Sequence, residues 1–97
     1  MNAFITSDVS GRQGEVKSAM LANGFHDYWT ANNQTYYLPN TCLWKPDSEL
    51  NAALLIMQQV IQNLNWNQPI HNQIRLERCI VISATPWDGI PGESRRN

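Results

Sequence analysis

Leu50, Leu54, Met57, Ile61 and Leu64 fall at i, i+4, i+7, i+11 and i+14, the spacing that lines one face of an α-helix. Ala53, Ile56 and Val60 widen the stripe. Asp47 or Ser48 is the expected N-cap, with Glu49 in the first turn, where the helix dipole favours a carboxylate. A helix with one apolar face must bury it against another layer, and the rest of the chain supplies candidates. Residues 2–7 read as a strand running into Asp8 and the turn Ser10-Gly11. Gln13 to Asn23 carries Val16, Ala19 and Met20 at helical spacing, and Gly24 just beyond it suits a left-handed stop. "FHDYW" and "TYYLPNTCLW" read as two strands of one hairpin around the polar turn "TANNQ". Pro39, inside the second strand, has no N–H for a ladder and asks for a bulge or an unpaired stretch. After the long helix comes a polar loop, "NWNQPIHNQ". "IRLERCIVISA" then reads as a covered strand alternating Ile74, Leu76, Arg78, Ile80 and Ile82, and residues 86–97 form a turn-rich tail.

The order strand, helix, strand, strand, helix, strand is a split β-α-β unit repeated once. It predicts an α+β, ferredoxin-like βαββαβ domain over residues 1–97, a four-stranded antiparallel sheet with both helices on one face. At 97 residues the chain makes one two-layer core. The usual spatial order puts the first strand between the third, with Cys42, and the fourth, with Cys79. That separation of roughly 10 Å is beyond a disulfide's reach and agrees with reduced thiols in a cytoplasmic protein.

Composition excludes several classes. Seven Lys and Arg against eight Asp and Glu give a net charge of −1, a poor match to proteins that hold nucleic acid by bulk positive charge. A nuclease with a local metal escapes that objection. The first residues lack the basic and apolar regions of a signal peptide. The longest uncharged run is broken by Gln and Asn, so no membrane span is expected. Two cysteines are too few for a structural zinc site. His26 and His71 lack metal-ligand spacing and read as surface or loop residues.

The aspartate closing the first strand is the main candidate for chemistry. It either forms an Asx-turn onto Ser10-Gly11 or holds a metal. Tyr28, Trp29, Tyr36 and Tyr37 read as cross-strand pairs or part of a dimer seam, in preference to a base-stacking surface. Trp66 and Trp87 read as core edges or contact anchors, and Arg95 and Arg96 as a solvated end.

Three stretches, "FITSDVSG", "YYLPNTCLW" and "RCIVISATPWDGI", give the chain a likeness in order and pattern. It resembles the small ferredoxin-like nuclease superfamily that includes the small subunit of CRISPR spacer-acquisition complexes, the VapD ribonucleases, the GhoS-type antitoxins and SinR-like proteins. The resemblance implies a homodimer in which two copies of Asp8 face each other and share Mg²⁺ or Mn²⁺, making a metal-dependent endoribonuclease acting on RNA or, alternatively, DNA phosphodiesters. A hard cation on carboxylate oxygens neutralises phosphate charge and acidifies water. On this reading Ser7 and Ser10 join Asp8 in catalysis, Arg12, Lys17 and Thr41 contact nucleic acid, and Trp44 and Trp87 lie at an interface. The alternative is a non-enzymatic interaction protein, an antitoxin or inhibitor of a mobile-element or defence system. It would grip a protein partner through its sheet edge and tryptophans.

Overall fold

The computed structural model describes residues 1–85 and 87–92. The elements run β1 (Ala3–Val9), α1 (Gln13–Ala22), β2 (Tyr28–Ala31), β3 (Gln34–Tyr37), β4 (Cys42–Lys45), α2 (Leu50–Asn65), a single 3₁₀ turn (Ile70–Asn72) and β5 (Leu76–Ser83). The fold is mixed α+β. β1 is central in an antiparallel sheet of order β4-β1-β5, and β2 and β3 form a separate two-stranded ladder. The expected four-stranded sheet is thus divided into three strands and two, linked by one bridge between His26 and Trp44. Pro39 is the reason. The hairpin ladder runs from Ala31↔Gln34 to Tyr28↔Tyr37, and the Leu38 N–H still reaches the Asp27 carbonyl at 2.9 Å. The chain then loops through Pro39, whose carbonyl accepts from the Cys42 N–H at 2.9 Å, before pairing resumes in β4. Pro39 falls in the unpaired stretch its missing donor demands. At the hairpin tip Asn32 and Asn33 both take positive φ, 51° and 63°, as a two-residue primed turn requires.

α1 ends in a Schellman motif. Gly24, at φ 90°, donates to the Leu21 carbonyl at 3.2 Å, and the Phe25 N–H returns to Met20 at 3.2 Å. Phe25 is thereby delivered into the core. α2 starts later than its sequence suggests. Asp47 takes φ 52° and donates its N–H to Asn2 Oδ1 at 3.2 Å; the Ser48 N–H goes to the Met1 carbonyl at 2.6 Å. Both expected caps are tied to the N-terminus, so Glu49, in extended conformation, is the N-cap.

The core lies on one face of the sheet. Ala3, Ile5 and Leu43 meet Val16 and Met20 of α1 and Ala53, Met57, Val60 and Ile61 of α2. β5 departs from the alternation read in its sequence. Asp8 pairs with Arg78 but Val9 with Leu76, so Glu77 is an extra residue in a β-bulge that reverses the faces beyond it. Leu76, Cys79 and Val81 pack on the core, whereas Ile80 and Ile82 are 62% and 52% exposed. A straight strand would send Arg78 inward with Leu76. The high cost of burying an unpaired charge selects the bulged register. Cys42 and Cys79 lie on strands flanking β1, and both thiols are free.

Candidate functional site

Successive side chains of a strand point to opposite faces. Along β1, Ala3, Ile5 and Ser7 look toward the helices, and Phe4, Thr6 and Asp8 toward the helix-free face. Ser7 and Asp8 meet again at the end of the strand, where a cavity of about 250 Å³ opens between β1, α1 and the loop before β4. Its polar rim is Ser7, Asp8, Gln13, Lys17, Asn40 and Thr41, above a floor that includes Ile5, Leu43 and Met57. Four residues read from the sequence as site candidates, Ser7, Asp8, Lys17 and Thr41, are therefore neighbours.

Their partners divide them. The Asp8 carboxylate is held at 2.8 Å by the Arg78 guanidinium, its cross-strand partner on the helix-free face. Asp8 is 42% and Arg78 82% exposed, so this pair is worth little in water. Lys17 turns to Asp27, 3.4 Å away. Asp27 is buried at the end of the Phe25-His26 stretch, a position that aromatic patterning alone reads as strand interior. The Ser7 N–H donates to the Thr41 carbonyl at 3.1 Å, fixing the loop to the strand. Thr41 keeps its exposed hydroxyl 3.9 Å from Cys42 Sγ.

The other expected site residues lie elsewhere. Ser10 accepts the Arg75 N–H on its hydroxyl at 2.7 Å and donates its own N–H to the Arg75 carbonyl at 3.0 Å, so it closes the β1–β5 ladder. Arg12, with left-handed backbone at φ 52°, pairs with Glu15 and donates to the carbonyls of Leu64 at 3.1 Å and Asn72 at 3.4 Å. A guanidinium at the end of α2 satisfies helix-terminal carbonyls and complements the dipole. The hydrogen bond that Arg12 donates to Glu15 holds the Glu15 carboxyl below its usual range. Trp44 donates its indole N–H to the Tyr28 carbonyl and packs on Trp29 and His26. Trp87 packs on Trp29 and Tyr36. Trp66 is 82% exposed, and Arg95 and Arg96 lie outside the described residues, as do Pro86 and the last part of the tail.

Sequence reasoning missed Arg78 and Asp27. Arg78 interrupts an apolar strand, a pattern that marks an outward face once a bulge is allowed; for Asp27 no comparable signal exists. Among the described residues no three His, Cys, Asp or Glu side chains converge to hold a metal. One protomer offers the single carboxylate of Asp8, and two copies would offer two. Mg²⁺ keeps several waters and uses one or two carboxylates with substrate phosphates, so Asp8 is a donor of the right chemistry, from one copy or from two. No helix among the described residues is long and apolar enough to cross a membrane. Comparison with protein-family models, with curated proteins and with solved structures finds no match.

Proposed function

We propose that the chain is a homodimeric, metal-dependent endoribonuclease of the small ferredoxin-like type, acting in the cytoplasm. The observation that carries the reading is the company Asp8 keeps. It shares the helix-free face of the sheet with Ile80 and Ile82, apolar side chains more than half exposed. A second copy packed on that face would bury both isoleucines and bring the two Asp8 carboxylates toward one another. The β4-β1-β5 order supports a ferredoxin-like ancestry, with the fourth strand reduced to the His26–Trp44 bridge and redirected into the β2–β3 hairpin.

The bound cation supplies charge neutralisation and a more acidic water. The chain's own residues do the rest: Asp8 holds the cation, Arg78 leaves Asp8 for a phosphate oxygen, and Ser7 and Thr41 orient the strand end beside it. Lys17, neutralised by Asp27, acts through the local potential and not as a free cation. The experiment is solution mass with and without Mg²⁺, followed by RNA cleavage on the same fraction. A dimer whose cleavage is abolished by Asp8→Ala supports the reading. A monomer, or cleavage unchanged in Asp8→Ala under excess Mg²⁺, refutes it.

The second reading is a non-enzymatic interaction protein that uses the same face to grip a protein partner. The net charge of −1 favours it, because phosphate binding then relies on few cations. RNA binding that does not weaken between about 50 and 200 mM salt would support this reading over the first.

A further inference from the structure

At the other end of the helix-free face, the β2–β3 hairpin and the segment after β5 border a larger, half-open cavity of about 420 Å³. Its walls are the rings of Phe4, Trp29, Tyr36, Tyr37 and Trp87. Ring contacts fix them: Trp29 to Trp87 at 4.8 Å, Tyr36 to Trp87 at 5.0 Å and Phe4 to Trp29 at 6.1 Å between centroids. The Tyr37 N–H donates to the Pro91 carbonyl at 3.0 Å, which ties the closing segment down. Two polar features lie beside this apolar wall. Among the described residues Asp88 is the one charged side chain lining it; its Oδ1 accepts the Gly89 N–H at 2.8 Å. Trp29 Nε1 is buried and has no hydrogen-bond partner among the described residues, although most buried indole N–H groups find one.

We infer that this cavity binds a small organic cation of the alkylated-ammonium class that also carries an oxygen acceptor, the chemistry of choline and of betaines. Aromatic faces attract such cations through their quadrupoles, and the carboxylate of Asp88 adds charge of the matching sign. The cavity lies within the size range of small-molecule sites. A phosphate-bearing ligand would meet Asp88 and, among the described residues, no cation. A purely apolar ligand would leave both Asp88 and the Trp29 N–H unanswered. An acceptor oxygen on the ligand supplies the partner that Trp29 lacks.

The full chain is titrated with choline, with tetramethylammonium, which lacks the acceptor, and with 3,3-dimethylbutanol, the neutral isostere of choline. Tryptophan fluorescence and the Trp29 indole N–H resonance are followed. Choline is expected to saturate and move the indole proton downfield. Tetramethylammonium is expected to bind without moving it, and the neutral isostere to bind about tenfold more weakly than choline. Asp88→Asn, an exposed change, is expected to weaken choline and leave the isostere unaffected. Equal affinity for choline and its neutral isostere overturns the inference, as does an indole proton that stays in place at tens of millimolar choline, or no binding of any probe.

Discussion

Asn65, the last residue of α2, provides a quantitative test of how the long helix is joined to β5. Its side-chain amide donates to the Ile74 carbonyl at 2.8 Å and its oxygen accepts the Ile74 N–H at 2.7 Å. Ile74 is only 3% exposed, so both peptide groups depend on this one side chain. Asn65→Ala removes two hydrogen bonds at about 1 kcal/mol each and strands two polar groups near the core, which adds about 1–2 kcal/mol where water reaches in only partly. The better helix propensity of alanine returns roughly 0.5 kcal/mol. The net loss is about 2.5–3.5 kcal/mol, a fall in Tm of roughly 10–28 °C for a domain of this size. Urea unfolding followed by circular dichroism measures it. Asn63→Ala, two residues earlier and exposed, serves as the control and should stay within about 0.5 kcal/mol of the parent. Asn65→Asp keeps the acceptor for the Ile74 N–H but sets an oxygen against the carbonyl. Its stability should therefore recover in part as acid protonates the new carboxyl. If Asn65→Ala unfolds with the Asn63→Ala control, the clamp contributes nothing and the reasoning fails.

Three further outcomes follow from the sheet. Arg78→Gln frees Asp8, so Mn²⁺ affinity of the protein should rise, while the salt slope of RNA binding should drop by about one phosphate contact; titration calorimetry and filter binding read the two effects. The double change Ile80→Asp, Ile82→Asp should leave the unfolding midpoint near that of the parent but halve the solution mass by light scattering, and an unchanged mass would exclude the helix-free face as the seam. Burial holds the Cys79 thiol above its ordinary value. Its stabilising contribution is therefore complete below the ordinary thiol range and declines as pH rises past that range toward the folded value. Cys79→Ser should flatten this alkaline limb in a stability-against-pH series.

Much of the architecture was legible where a local rule and the tertiary fold agree. Gly24 stops α1 because only its backbone takes φ 90° cheaply, and Asn32-Asn33 turns the hairpin for a related reason. Pro39 breaks a strand because it lacks a donor, and Val60 and Met57 lie inward because the helical period puts them there. The misreadings arise where distant partners intervene. Asp47 and Ser48 are good caps by type, but Asn2 and Met1 claim them first. The outward face of β5 depends on Glu77 standing unpaired opposite β1, which no count along β5 alone reveals. In the candidate site, Ser7, Asp8, Lys17 and Thr41 were legible as residue types, and their gathering in one cavity follows from β1 lying beside β4. That Asp8 meets Arg78, and Lys17 meets Asp27, required the register of one ladder and the turn after Phe25. Arg12 shows the same limit from the other side. A basic residue beside an acidic strand end suggests phosphate, yet its reach to Leu64 crosses 52 positions of sequence.

The unpaired Glu77 has one more consequence. β5 is oily on both sides, with Leu76, Cys79 and Val81 on one and Ile80 and Ile82 on the other, so grease alone does not tell it which way up to lie. What breaks the tie is a single guanidinium that refuses the interior. Exchange Arg78 for leucine and the strand acquires two nearly equivalent ways to dock, the second turning Ile80 and Ile82 inward. Such a chain would lose its singular resting state before it lost much stability, and its newly ambiguous border would invite neighbours to stack.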